Sequence, residues 1–244
     1  MKYITIPKFE NTGLVKTMFT QIGEGGFGYN NPEDIENYRR AADEFGVTTS
    51  EMIRLQQTHS KTVRTVDLSC GGEGITREQT ISGNDGMVTN EKGLMICTVE
   101  ADCVPVLMLD PTKKVIANVH SGWRGTAGRI SANAVKMMQK EYGTKPKDIL
   151  VCIGPHNCSK CYEVTEEIIP EFDGFDKGKI FTDKGNGKYL LNMSEAICET
   201  LYEAGVPKEN IEDLRICTQE DTRFSSWRRD KDKKSRILTA IMLK

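Results

Sequence analysis

Short, dense apolar runs crowd the middle of the chain. MVT at 87–89, LMICTV at 94–99, VPVLML at 104–109 and VIANVH at 115–120 follow one another with little polar sequence between them. Runs rich in Val, Ile, Leu and Met that do not alternate with polar residues are the pattern of strands buried on both faces. Asp110 and Pro111 mark a turn between the last two, which therefore read as a hairpin. Such a sheet needs helices to cover it. One is expected to begin near Thr126, where Ile130, Ala134, Val135 and Met138 recur at helical spacing before Gly143.

Upstream, KYITI and LVKTMFTQ read as a strand pair around a turn at 10–13. Asn31 ahead of Pro32, Glu33 and Asp34 is a helix start, and that helix should run to Phe45 and close at Gly46. MIRLQQTHS and KTVRTVDL predict two strands with His59 and Ser60 at the bend, and the glycine-rich segment 70–86 predicts a surface loop. Downstream, DILVCIG is a strand, 163–169 a helix ended by Pro170, and 173–188 a charged, glycine-rich loop or insertion. Asn192 caps a helix through Ala204 that Gly205 and Pro207 stop, and LRICT and RILTAIML supply two last strands. The order is that of an α/β protein, a mixed sheet with helices on both faces. No repeat or linker breaks the chain, so residues 1–244 are expected to form a single domain.

Composition narrows the class of protein. Apolar residues make up 38% and charged residues 28%, and the net charge of -2 carries no bias toward nucleic acid. The start, MKYITIPKFENTG, lacks the apolar core of a signal peptide, and no run is long enough to cross a bilayer. A cytoplasmic protein is expected, with no membrane or nucleic-acid partner. Eight cysteines in a reducing compartment then point to ligands or core rather than to disulfides.

The chemistry gathers around 100–128. Cys103 heads one apolar run, after Asp102, and His120 ends the next. His59, one of only three histidines, closes another run after Gln57. Two imidazoles and a thiolate form a borderline-soft set suited to zinc, with a fourth position left for water or substrate. The same residues allow a thiol nucleophile, Cys103, with His120 as its base. They also allow a plain core cysteine and a histidine that merely bonds a carbonyl. Beyond His120, Gly122, Gly125 and Gly128 punctuate a turn into a helix, where Arg124 and Thr126 could help backbone amides hold an anion. A tight turn packed under Trp123 would look the same. Cys158 and Cys161 form a CxxC without a second pair, which reads as structural or incidental, and His156 reads as a surface residue.

Several motifs together carry a resemblance: QTHS at 57–60, NDGMVTN at 84–90, EADCVPVLMLD at 100–110, HSGWRGT at 120–126, GPHNCSKCYEV at 154–164 and FSSWRRD at 224–230. The sequence resembles the laccase-domain, or YfiH-like, family, once described as multicopper polyphenol oxidases and associated with zinc-dependent purine nucleoside enzymes. The resemblance implies an α/β/α layered sandwich with zinc on His59, Cys103 and His120. It implies phosphorolysis of adenosine, inosine, guanosine and methylthioadenosine, and deamination of adenosine. Cys103, His120, Asp102 and Arg124 are then the expected catalytic residues, and Gln57, Asp85, Ser121 and Arg124 the expected substrate contacts. Asp85, Asp102 and Glu163 are candidates for the proton shuttle. Two departures stand out. Gln21 replaces an arginine usual near the N-terminus, which would reroute anion binding through Arg124 or Arg229, and KKSR at 233–236 replaces a glycine-arginine pair.

Three other readings compete. A multicopper oxidase needs many imidazoles, and the chain has three histidines in all, so copper fits less well than zinc. A cysteine hydrolase or amidase, for instance one editing a cell-wall precursor, would use Cys103 and His120 without metal. A zinc-stabilised binding protein would show no turnover. Oligomeric state is left open.

Overall fold

The computed structural model describes residues 1–80, 82–232 and 234–244. In chain order its strands are β1 (Tyr3–Ile4), β2 (Val15–Thr20), β3 (Met52–Arg54), β4 (Val63–Thr65), β5 (Gly86–Thr89), β6 (Met95–Glu100), β7 (Val104–Asp110), β8 (Val115–Ser121), β9 (Leu150–Ile153), β10 (Glu163–Thr165), β11 (Phe181–Gly185), β12 (Lys188–Leu191), β13 (Ile211–Asp213) and β14 (Ile237–Leu243). The helices are α1 (Pro7–Glu10), α2 (Ile35–Phe45), α3 (Trp123–Ala127), α4 (Ile130–Tyr142), α5 (Lys177–Ile180), α6 (Met193–Glu203) and α7 (Trp227–Asp230).

Among the described residues the strands make two large mixed sheets and one small one. The first large sheet has the order β1-β2-β14-β6-β3 and the second β13-β9-β7-β8-β5-β4. They lie face to face: Phe19, Ile53, Ile96 and Ile241 of one meet Met87, Leu107, Leu109 and Ile116 of the other in a common buried layer. Tyr38, Ala41, Ala42 and Phe45 of α2 cover the outer face of the first sheet. Ile130, Ala134, Val135 and Met138 of α4, with Ala196, Ile197 and Leu201 of α6, cover the outer face of the second. The expected α/β class and mixed pairing hold, and the sheet layer between the helices is double. The fully buried β6, β7 and β8 follow directly, because each strand is covered by the opposing sheet on one side and by helices or neighbouring side chains on the other.

Local signals placed several elements correctly. Asn31 caps the short 3-10 turn that leads into α2, and Gly46 ends α2 at φ 77. Asn192 caps α6 by accepting from the Glu195 amide. Other expectations are corrected. MIRLQQTHS and KTVRTVDL each supply one short strand as expected, but β3 joins β6 in one sheet and β4 joins β5 in the other, so the bend at His59 is a crossing between sheets. The helix expected over 163–169 is met only in part: 163–165 form strand β10, and 166–171 form a 3-10 helix that Pro170 lies inside rather than ends. Residues 173–188 are not a loop but supply α5, β11 and most of the turn into β12, forming an antiparallel sheet of order β10-β12-β11. LRICT is not a strand; its neighbour Ile211–Asp213 is. The 70–86 segment is anchored inward by Glu73, Ile75 and Asp85, all essentially buried. Ile81 of that segment and Lys233 of KKSR lie outside the described residues.

Candidate metal centre and its cavity

Hairpin register brings the first two ligands together. β7 and β8 pair with Val104 opposite Ser121 and Pro105 opposite His120, so Cys103, just ahead of β7, stands beside His120. Cys103 also lies on a crossing between the sheets, since β6 ends at Glu100 in one and β7 starts at Val104 in the other. His59 arrives on another crossing, between β3 and β4. Its Nε2 is 3.8 Å from Cys103 Sγ, and its ring stands 5.0 Å from that of His120 in an edge-to-face pose. One donor atom from each of the three lies within 4.8 Å of the others. Ligands of a single tetrahedral ion with bonds of about 2.0–2.3 Å stand about 3.5 Å apart, so the donor chemistry and spacing fit zinc.

Asp85 builds this arrangement. Fully buried, it accepts the backbone amides of Thr58, His59 and Ser60 at 3.1, 3.0 and 2.7 Å and the His120 Nδ1 hydrogen at 2.8 Å. The three amides hold His59 in the left-handed region at φ 60. The imidazole bond leaves His120 Nε2 free to ligate, as a carboxylate behind a metal-bound histidine does. Burial pushes the Asp85 carboxyl up, but the bond and charge of His120, with Ser60, outweigh it and pull it down to about 2. Burial likewise raises the Cys103 thiol, and the charges and hydrogen bonds of His120 and His59 more than reverse this and hold it below the ordinary thiol range. Burial lowers His120, and the Cys103 thiolate and Asp85 push it well above its usual value. Without metal, both shifts favour the thiolate and imidazolium forms of the pair. Gly122 gives the ligands room: a Cβ there would stand 2.7 Å from His59 Cδ2 and 3.4 Å from Cys103 Sγ.

The triad opens into a cavity of about 450 Å³. Trp123, Tyr162 and Trp227 give it aromatic walls, and Arg54, Arg124, Arg228 and Arg236 give it cations. Arg124 lies over the Trp123 ring at 4.2 Å and Arg228 over Tyr162 at 5.2 Å. Glu100 also faces it. Its Oε2 accepts the Thr239 hydroxyl at 2.7 Å, while its buried Oε1 has no partner. Burial raises this carboxyl to about 7, against the opposing pull of His120, Thr98 and Thr239 and with help from the Cys103 thiolate.

The other expected residues fall out unevenly. Arg124 and Gln57 line the cavity, although the Gln57 amide is engaged at both ends by the Val99 backbone, at 2.8 and 2.9 Å. Asp102 lines it too, at φ 84, with its carboxylate taking the Thr218 and Ser226 hydroxyls, each at 2.7 Å, and the Arg228 amide at 2.6 Å. Three donors on two oxygens make it a brace rather than a shuttle. Asp85 and Ser121, expected as substrate contacts, are buried away from the cavity, the Ser121 hydroxyl being paired with Thr126 at 2.7 Å. Glu163 is on the surface between Lys184 and Lys188, which removes it as a proton shuttle. Arg229 is spent on the Thr218 and Phe224 carbonyls and on Asp230, and Gln21 does not line the cavity. His156 is buried, between the Gly154 carbonyl and the Ser194 hydroxyl, each at 2.8 Å. Glu100, Arg54, Tyr162, Trp227, Arg228 and Arg236 were not singled out from sequence. All six stood inside stretches already quoted: Arg54 in MIRLQQTHS, Glu100 in EADCVPVLMLD, Tyr162 in GPHNCSKCYEV, Trp227 and Arg228 in FSSWRRD, and Arg236 in KKSR.

Fold and site together describe a mixed α/β protein whose paired sheets present a His-Cys-His ligand set at the base of a cationic, aromatic cavity. The chain belongs to the laccase-domain, YfiH-like family: residues 12–244 match the family described as multi-copper polyphenol oxidoreductase laccase. It is similar to a purine nucleoside phosphorylase of Bacteroides thetaiotaomicron, 36% identical over 79% of this chain and 73% of that protein. It is also similar to the purine nucleoside phosphorylase YlmD of Bacillus subtilis, 29% identical over 96% and 86% of the two chains. A third relative, adenosine deaminase RL5 from an unknown prokaryotic organism, is 33% identical over 83% of this chain and 79% of its own. Among solved structures, the Bacillus licheniformis hypothetical protein YfiH superposes with a TM-score of 0.91 at 29% identity, covering 100% of this chain and 97% of that one. No helix among the described residues is long and apolar enough to cross a membrane.

Proposed function

We propose that this chain is a zinc-dependent purine nucleoside phosphorylase acting on adenosine, inosine, guanosine and methylthioadenosine. The observation that carries the reading is the convergence of His59, Cys103 and His120 at the base of the cavity, within 4.8 Å of one another, in a chain whose relatives are named for that activity. Zinc held there would supply a Lewis acid. Trp123, Tyr162 and Trp227 offer faces for a purine, and Arg54, Arg124, Arg228 and Arg236 offer charge to phosphate. In phosphorolysis a phosphate oxygen bonds to C1′ as the C1′–N9 bond breaks, and the departing purine takes up a proton. Glu100, whose carboxyl burial pushes toward the protonated form, is the group we assign to donate it. Asp85 aims both histidines, and Asp102 fixes the backbone next to Cys103. The role belongs to residues 1–244 acting as one domain, in the cytoplasm, where the Cys103 thiol stays reduced.

Deamination of adenosine is a second reading, favoured by the relative named for it and by the same protonated Glu100, which would serve the leaving ammonia. One assay separates the possibilities. Inosine and adenosine are supplied with and without phosphate to protein purified without chelators, and free base, inosine, ammonia and zinc are measured. Phosphate-dependent base release that His59→Ala abolishes along with the zinc supports phosphorolysis. Full activity in a zinc-free His59→Ala variant would refute it in favour of a Cys103 nucleophile.

A further inference from the structure

A second group of metal-ligating side chains stands outside the cavity's base. Cys158 and Cys161 occupy one turn between β9 and β10, closed by the Cys161 and Tyr162 amides on the Cys158 carbonyl at 3.0 and 2.9 Å. Cys217 comes from far along the chain. β13 runs parallel beside β9, and their pairing continues past the strand ends through a bridge between His156 and Cys217. That bridge rests on the His156 amide bonded to the Ile216 carbonyl at 3.0 Å and the Thr218 amide bonded to the His156 carbonyl at 2.9 Å. It brings the buried Cys217 sulfur against the CxxC turn, where the Cys158 amide donates to it at 3.5 Å. Glu220 joins them on the turn that its own amide makes with the Cys217 carbonyl at 3.2 Å. One donor atom from each of the four lies within 4.8 Å of all the others.

The missing half of the CxxC is thus a single cysteine rather than a second pair. A disulfide would consume two of the thiols and leave the third without a role. An amide aimed at sulfur is the contact a thiolate wants. Three thiolates and one carboxylate form a closed, borderline-soft tetrahedral set, which selects zinc over hard cations and resembles structural sites rather than catalytic ones. We propose that Cys158, Cys161, Cys217 and Glu220 bind a structural zinc ion, separate from the His59, Cys103 and His120 centre.

The placement gives this clip a purpose. Cys158 follows Asn157, whose amide donates to the Asp102 carbonyl at 3.0 Å. Cys217 precedes Thr218, whose hydroxyl donates to the Asp102 carboxylate at 2.7 Å. Joining residues 158 and 217 through one ion therefore fixes both donors on Asp102, the residue that sets the backbone of Cys103.

The test is zinc content and zinc K-edge X-ray absorption on the full chain, purified with reductant and without chelator. Cys103→Ser protein is expected to keep about one zinc per chain, with three sulfur neighbours at about 2.3 Å. Cys161→Ser is expected to lose that ion, to melt at lower temperature, and to leave a zinc with one sulfur neighbour. Zinc-free Cys103→Ser protein, or a remaining ion with one sulfur or none, would overturn the proposal. So would an unreactive pair of thiols and a mass two hydrogens low, marking a Cys158–Cys161 disulfide. If a variant fails to fold, the wild type decides alone. About two zinc ions averaging two sulfurs each support two sites, and about one zinc with a single sulfur refutes the second. A first centre without zinc would instead leave about one ion with three sulfurs, so the two proposals fail separately.

Discussion

Replacing Glu100 with Gln tests both the electrostatics of the cavity and the proton donor. The carboxyl is 1% exposed, Oε1 has no partner, and its pKa is raised from 4.5 to about 7. A group whose folded pKa lies above its unfolded one stabilises the fold fully below the unfolded value and loses that contribution as pH rises through the folded value. Here the window runs from about pH 4.5 to about pH 7. A displacement of roughly two and a half units corresponds to a penalty of about 3 kcal/mol at pH 8. Glu100→Gln keeps the shape and the Thr239 contact but never ionises. Metal-free variant protein should therefore gain up to about 3 kcal/mol over wild type in urea unfolding at pH 8, and close to nothing at pH 4.5. Bound zinc nearby would favour the carboxylate, so the gain should shrink in the loaded protein. Base release should fall about 100-fold, and the decline of wild-type activity with rising pH, moved by zinc to below the metal-free value, should vanish from what remains. Equal stability changes at both pH values, or wild-type turnover, would refute the reasoning.

Asp85→Asn keeps the fold's shape but weakens the acceptor for three amides and for His120, and isothermal titration with zinc should show affinity down about 10- to 100-fold. Gly122→Ala sets a methyl 2.7 Å from His59 Cδ2, so equilibrium dialysis should find weaker zinc binding with little change in melting temperature. Glu73 is buried against Arg64, and although burial pushes its carboxyl up, the bonds from Arg64 and Thr80 hold it below the usual range. That stability is present above about pH 4.3 and lost as pH falls through the lowered folded value. Glu73→Gln should accordingly cost about 3 kcal/mol at pH 7 and much less near pH 3, measured by denaturant unfolding.

Local signals made parts of this molecule legible in advance. Asn31 with Pro32, Gly46 and Asn192 each mark a boundary through their own backbone chemistry, and the hairpin holding Cys103 beside His120 follows from two apolar runs and one turn. The β11–β12 hairpin was missed although its turn carries a local signal: Asn186 and Gly187 both take positive φ, at 56 and 72, as a tight hairpin turn demands. Charge and glycine in that segment hid the signal. Two stacked sheets were not legible, because a strand buried on both faces looks the same whether a helix or another sheet covers it. Glu100 and Cys217 escaped for a related reason. What makes them chemically unusual is their tertiary surroundings: burial for the first, and for the second the Cys158 amide from a distant segment.

Two of the crossings between the sheets have a consequence for the order of assembly. His59 sits where the chain leaves β3 for β4, and Cys103 where it leaves β6 for β7, so neither ligand is placed until both sheets exist and have docked. A folding intermediate holding the second sheet alone could present His120 but not the set. Metal capture at this centre is then a late event, and a chain that has acquired its ion at His59, Cys103 and His120 is one whose sheets have already closed upon each other.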